Sequence, residues 1–449
     1  MPRLLATGAL ALALAGCRAP VVSPEPEPAA GEPALVVQSA PQLVAALQPG
    51  NAGRRIRILR GDYDVDRPLV VPDGATLEGE GVMVIGPDGL PGGFEPGTAT
   101  TLRAAGAFDG HLLALGHGSA VRGLRLLDLA NTVEQPRLRS GNVVFVGSRA
   151  PADTIAASIV ECEIVSPNRG GFTDDGPIGH GIAAVTLNPA LGAAPAAHED
   201  AQVSVSVRRS IVRAGTGAAV FANNFAARSR LMLRLEGNRF VGYLVAAGGT
   251  SRPDAVTGSV TSIESRGNLY ARGGFDRHGW LLLGASTSPH FLGAAVPGAS
   301  GNELSLESVD DRIEGFRYGI QAAAARRLST QSAPLADNRV ELRLQGTRIG
   351  TPDQGAADLV LQAGLSETGQ AGGPGEFSVG DRNVLRVQVS GVTGSGSRRN
   401  VYAHVVGPLQ PANQGIGNRL EIAGDAATFG LSNRAIEPPP GPQYFVGGH

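Results

Sequence analysis

Arg60-Gly61-Asp62-Tyr63, followed by Leu69-Val70-Val71-Pro72-Asp73-Gly74-Ala75-Thr76-Leu77-Glu78-Gly79-Glu80-Gly81, is the stretch that decides the fold. From Arg55 onward the apolar residues fall at alternate positions, through Ile56, Ile58, Val65, Leu69, Val71 and Leu77. That spacing belongs to strands with one buried face. Gly61, Pro68, Pro72, Asp73-Gly74, Gly79 and Gly81 break the runs at short intervals, so the segment reads as strand, turn, strand. Working back toward the N-terminus, Ser39 is placed as an N-cap, Pro41 stands in a first turn, and Leu43, Val44 and Leu47 share one side. A short helix is predicted there, ended by Pro49-Gly50.

These residues resemble the opening coil of the pectin-lyase-like superfamily, whose fold is a right-handed parallel β-helix. In that family a short amphipathic helix caps the solenoid just before this segment, as residues 39–48 would here. The resemblance implies a fold and leaves the activity open. Repetition extends the expectation along the chain: Asn142, Asn238, Asn268, Asn302, Asn338, Asn383 and Asn418 each precede an apolar strand residue by two positions. From Asn238 onward they recur every 30 to 45 residues, a solenoid period with variable loops. The strands that follow alternate strictly, as in Leu304-Ser305-Leu306-Glu307, Val340-Glu341-Leu342-Arg343-Leu344 and Leu385-Arg386-Val387-Gln388-Val389. No such unit is large enough to bury its own apolar face, so each must stack on a neighbour.

The expected fold class is therefore all-β: a single-stranded right-handed parallel β-helix over residues 36–432, with a short N-terminal capping helix. About 10–15 coils at the inter-strand spacing would form a rod on the order of 50–70 Å long. An antiparallel β-sandwich or propeller is the alternative architecture, and the lack of Asn-Gly hairpin signals between alternating runs weighs against it. The tail 433–449 contains Glu437-Pro438-Pro439-Pro440-Gly441-Pro442, which cannot continue a strand ladder.

The first seventeen residues read as an address. Arg3 supplies a positive start, Leu4 to Leu14 an apolar stretch too short to span a bilayer, and Leu14-Ala15-Gly16-Cys17 a small-residue cleavage site. Leu-Ala-Gly-Cys resembles the lipobox of bacterial lipoproteins, which implies acylation of Cys17 and a membrane partner reached through that lipid. Arg18 follows the cysteine, and in lipoproteins of this type that implies the outer membrane or cell surface. Residues 18–35, with Pro24-Glu25-Pro26-Glu27-Pro28, read as an extended tether.

Composition narrows the function classes. The formal net charge of −2 excludes a strongly basic nucleic-acid binder. Lysine is absent and all 38 basic residues are arginines, which excludes a lysine base or Schiff base. With Cys17 acylated, Cys162 has no disulfide partner, and its spacing from Val160 places it on the apolar face. No cofactor motif appears: there is no phosphate loop, no metal-spaced Cys/His set and no motif for calcium, the one ion that polysaccharide lyases of this fold family would suggest.

Two loops carry candidate chemistry. Asn168-Arg169-Gly170-Gly171-Phe172-Thr173-Asp174-Asp175-Gly176, with His180 beyond it, concentrates charge beside strands. There Asp175, with Asp174 beside it, would serve as acid or base, His180 would orient or shuttle a proton, and Arg169 would pair a substrate carboxylate. The bland alternative is a solvated Gly/Asp turn. Asp174-Asp175 and Gly179-His180-Gly181 also match two motifs of the polygalacturonase branch, but they crowd into one loop, and the remaining motifs of that branch are missing. Asp276-Arg277-His278-Gly279-Trp280 is the second candidate, with Trp280 stacking on a sugar beside Arg277 and His278, or else covering the end of a coil. A third acidic cluster, Asp310-Asp311-Arg312, reads as a salt-bridged turn. The expected function is an envelope-anchored β-helix that binds or scaffolds on a polysaccharide. The alternative is a lyase or glycoside hydrolase acting on an acidic polysaccharide.

Overall fold

The computed structural model describes residues 33–105, 110–128, 141–166, 171–173, 176–187, 198–251, 255–274, 278–287, 297–328, 332–351, 357–368, 373–374, 378–394, 401–407 and 415–424. Short strands stack in parallel, rung upon rung, into a right-handed β-helix, the fold expected from the resemblance. One face is a 12-stranded sheet that begins with Leu35–Val37 and ends with Arg419–Gly424. The other two faces merge into an 18-stranded sheet, because long strands such as Ile211–Asn223 and Arg239–Ser251 run through the corner between them.

Local sequence explains the rungs. Arg230–Glu236 and Arg339–Gln345 alternate between buried and outward positions along their length, as their period-two pattern predicts. The buried positions join into one continuous cluster extending from Val37 to Ile422. Inside it, rung-to-rung columns such as Leu113, Val144, Ile182, Val220, Leu244, Trp280, Ile320 and Leu359 follow directly from the register. The outward face of the first sheet carries arginine and glutamate instead, paired across neighbouring rungs as in Arg234–Glu264 at 3.0 Å and Arg386–Glu421 at 2.7 Å. Half-exposed pairs of this kind contribute roughly 0–1 kcal/mol each, so the apolar interior holds the stack together.

The N-terminal end is capped as predicted. Helix Ala40–Ala46 begins at Ser39, whose hydroxyl accepts the Gln42 amide, and it buries Leu43 and Ala46 against the first rung. Asn51 Nδ2 closes its last turn on the Ala46 carbonyl at 3.0 Å. The Gly79 and Gly81 of the opening motif are required by close backbone approach: a Cβ on either would lie 2.5 or 2.6 Å from the Gly123 carbonyl oxygen.

The recurring asparagines do not form a single column. Three separate ladders replace it, on different corners. After the first sheet, Cys162, Ser210, Asn238, Asn268 and Asp311 follow one another, with Asn238 and Asn268 each passing backbone and side-chain N–H to the next rung's oxygen. Before that sheet, Ser259, Asn302, Asn338, Asn383 and Asn418 repeat the scheme. The residue ahead of each rung of these two ladders, among them Glu161, Arg209, Gly237, Gly267, Asp310, Gly258, Gly301, Asp337, Arg382 and Gly417, holds the positive φ that turns the chain. The asparagines themselves supply acceptors. The third ladder contains Asn142 and is described below.

Antiparallel excursions leave the solenoid, one of them at the turn residues Pro87-Asp88-Gly89. Met83–Ile85 pairs with Pro91–Phe94, and the tip of this hairpin lies along the rod. There Asp88 accepts from Arg239 at 2.8 Å and from Arg312 at 3.3 Å, two rungs apart in the stack.

Candidate functional site

Arg169, Asp174 and Asp175 lie outside the described residues, as do Arg277 and the lipidation candidate Cys17. The strands Gly171–Thr173 and Gly176–Ile178 run antiparallel.

His180 has a structural position. It is buried, its Nδ1 accepts the Ala218 amide at 2.9 Å, and its own amide donates to Asn142 Oδ1 at 3.1 Å. His111 Nδ1 in turn accepts the Asn142 amide at 2.9 Å. His111, Asn142 and His180 thus form the third ladder, in which each side chain captures the next rung's N–H. The His111 ring stacks on Phe145 at 4.0 Å and the His180 ring on Phe221 at 4.6 Å. Both acceptor nitrogens must be unprotonated, and burial pushes the His111 pKa down to about 3. An imidazole held in this way is poorly placed to shuttle protons to a ligand.

Trp280 has no surface to offer a sugar. It is 0% exposed in the interior column, edge-on to Tyr270 at 5.2 Å, and its indole N–H finds no partner among the described residues. The period-two register turns it inward between Leu244 and Ile320. His278 stacks on Tyr318 at 5.3 Å, along the rung direction. Asp311 is likewise a fully buried ladder rung rather than part of a salt-bridged turn.

A groove that the sequence reading did not single out opens at the capped end. It encloses about 850 Å³ between the end of the helix, at Val44, Leu47 and Gln48, and the outward face of three rungs. Val70, Ala114 and Phe145 form its floor in direct register, between Pro68 and Pro72 on one side and Gly147 on the other. Val70 is 57% exposed, an apolar side chain at an outward position. A signal existed in the sequence: Leu69-Val70-Val71 and Val144-Phe145-Val146 break the alternation with an apolar residue where a polar one is due.

The rim is charged and internally paired. The Arg149 guanidinium grips Asp73 at 2.7 and 2.9 Å and Asp153 at 3.1 Å. The hydrogen bonds it donates to Asp153 and Asp73 hold its pKa well above the ordinary arginine value. Burial pushes the Asp153 carboxyl up, but the bonds from Arg149 outweigh it and leave its pKa lowered. Asp73 also accepts the His117 amide at 2.9 Å, and Arg67 pairs with Asp66 at 2.9 Å. Asp311, whose carboxyl burial pushes up to about 6, is enclosed in its ladder, away from the surface. Among the described residues no cluster of three or more His, Cys, Asp or Glu side chains could hold a metal ion, and no helix is long and apolar enough to cross a membrane.

Fold and groove together define a right-handed parallel β-helix with an open cleft at its capped end. Among solved structures it is similar to the Dettilon tailspike protein, at 10% identity and a TM-score of 0.29, over 86% of this chain and 64% of that one. The chain thus spans less than two thirds of the length of that protein, and a likeness this distant carries no argument about ligands. No protein-family model matches the sequence, and no curated protein matches it.

Proposed function

We propose that this protein is an envelope-anchored β-helix that binds or scaffolds on an extracellular or cell-envelope polysaccharide, held to the outer membrane or cell surface by lipid on Cys17. The observation that carries the binding reading is the groove at the capped end. It pairs an apolar floor, exposed at Val70, with a polar rim, a composition that suits the capture of a ligand. Its titratable groups are committed elsewhere: Arg149 to two carboxylates, His111 to the Asn142 amide. General acid–base catalysis needs a group free to exchange a proton with the substrate, and Arg149 and His111 are both held in hydrogen bonds within the protein.

The groove also suits a glycan better than an extended peptide. A peptide would bind by adding a strand, but the floor strand at the edge, Leu69–Val71, is three residues long and bracketed by prolines without N–H groups. A sugar chain brings its own donors and acceptors together with apolar ring faces. The test is a polysaccharide array probed with the full chain carrying Cys17→Ser, so that it stays in solution. Retention on at least one envelope or extracellular glycan is expected, without release of reducing ends or unsaturated products. An array with no signal removes the reading, and product release replaces it with an enzyme. Palmitate labelling of the wild-type chain, lost in Cys17→Ser, tests the lipid.

A further inference from the structure

We infer that the groove selects an uncharged glycan and turns uronate polymers away; the inference rests on the binding reading above. Its basis is the charge balance at the rim. The ionised groups lining the groove, with the carboxylates bonded to them, are Arg67, Arg149, Asp66, Asp73 and Asp153. Among the described residues, two guanidiniums face three carboxylates there, a net charge of −1. His111, with its pKa near 3, adds no positive charge at neutral pH.

Recognition of a uronate carboxylate calls for a free guanidinium fork, because the strength of that contact lies in two parallel N–H bonds. Arg149 has no fork to spare. Its Nη1 bonds both oxygens of Asp73, while Nε and Nη2 bond Asp153. An incoming carboxylate would have to displace one of these carboxylates and then sit beside it. Like charges a few ångströms apart at a half-exposed rim disfavour binding by roughly tenfold. A neutral sugar meets no such opposition, and its ring face can cover Val70 while its hydroxyls meet Gln48 and Asp73 on the groove wall.

The experiment compares neutral gluco-oligosaccharides with oligogalacturonate of the same length, by calorimetry on the full Cys17→Ser chain. The neutral ligand should bind at least tenfold more tightly at low salt, and added salt should narrow the gap by screening the repulsion. Asp73→Asn keeps an acceptor for the His117 amide, loosens Arg149 and cancels the net negative charge, so the ratio should move toward the uronate. Val70→Arg covers the apolar floor with a charged side chain and should weaken the neutral ligand at least tenfold. If the uronate binds more tightly and salt weakens it, the inference falls while the binding reading stands. If the neutral ligand is indifferent to Val70→Arg, the groove is not its site and the inference also falls. Binding of neither class removes both.

Discussion

Asp311→Asn is expected to stabilise this protein at neutral pH and to leave it unchanged in acid. Asp311 occupies a rung that Asn238 and Asn268 fill in the two coils before it. Its Oδ1 accepts the Asn268 amide at 2.7 Å and Asn268 Nδ2 at 3.1 Å, and its Oδ2 accepts the Ser308 hydroxyl at 2.7 Å. Burial nonetheless dominates and raises its pKa to about 6 from 3.8. The folded state therefore holds the proton more tightly than the unfolded chain. Stability is full below pH 4, falls as pH rises through the window from 4 to 6, and is lowest above it. A shift of about two pH units corresponds to about 3 kcal/mol. Asparagine removes the charge and keeps the Oδ1 acceptor. Its new N–H points where Asn238 and Asn268 reach the carbonyls of Val207 and Leu235; the matching carbonyl here is that of Ser265, next in register. Urea unfolding followed by Trp280 fluorescence, at pH 3.5 and pH 7.5, measures the effect. Coils can unfold in stages, so midpoints are compared only where the slopes agree. The variant should gain about 1–3 kcal/mol at pH 7.5 and almost nothing at pH 3.5. A loss at pH 7.5, or a difference independent of pH, would refute the reasoning, since it would mean that the three donors fully compensate the buried charge.

The other expectations concern the third ladder, the hairpin Met83–Phe94 and the thiol. His180→Asn should fold like the wild type, because Asn142 serves the same corner, whereas His180→Ala should lose roughly 1–3 kcal/mol in thermal or urea melts by orphaning the Ala218 amide; equal stability of the two would discard the ladder role. The His111 pKa of about 3 lies below its unfolded value of 6.5, so its contribution is intact above pH 6.5 and drains away as pH falls toward 3. Replacing it with asparagine should flatten that acid limb, and an unchanged limb counts against the assignment. Asp88→Ala should speed hydrogen exchange in residues 82–94 while moving global stability by less than about 1 kcal/mol, since the ion pairs with Arg239 and Arg312 are partly exposed. Cys162, buried with its thiol pKa pushed up to about 12, should resist thiol reagents at pH 8 until denaturant is added; rapid labelling of native protein would contradict its place in the core.

Much of the fold was legible because its signals are local. Alternation in Leu304-Ser305-Leu306 or Val340-Glu341-Leu342 fixes a strand and its buried face within a few residues, and Ser39 with Pro41 fixes the start of the cap. The candidate site was less legible. Gly179-His180-Gly181 and Trp280 look chemically active in a string of letters, yet register places His180 in a hydrogen-bond ladder and Trp280 in the apolar interior. The groove was missed because each of its walls is unremarkable alone: a helix end, a short strand between prolines, and an arginine far along the chain from the aspartate it binds.

By itself the sequence determined the strands, the turns between them and the need of every coil for a neighbour, since period-two hydrophobicity and turn chemistry act over a few residues. Only the tertiary structure decided which rungs align. That alignment sorted the asparagines onto separate corners, gave Asp311 a buried rung, and brought Arg149 to Asp73 and Asp88 to Arg239 and Arg312. The physical reason is that stacking register depends on the length of every intervening loop, a sum over the whole chain that no local pattern encodes.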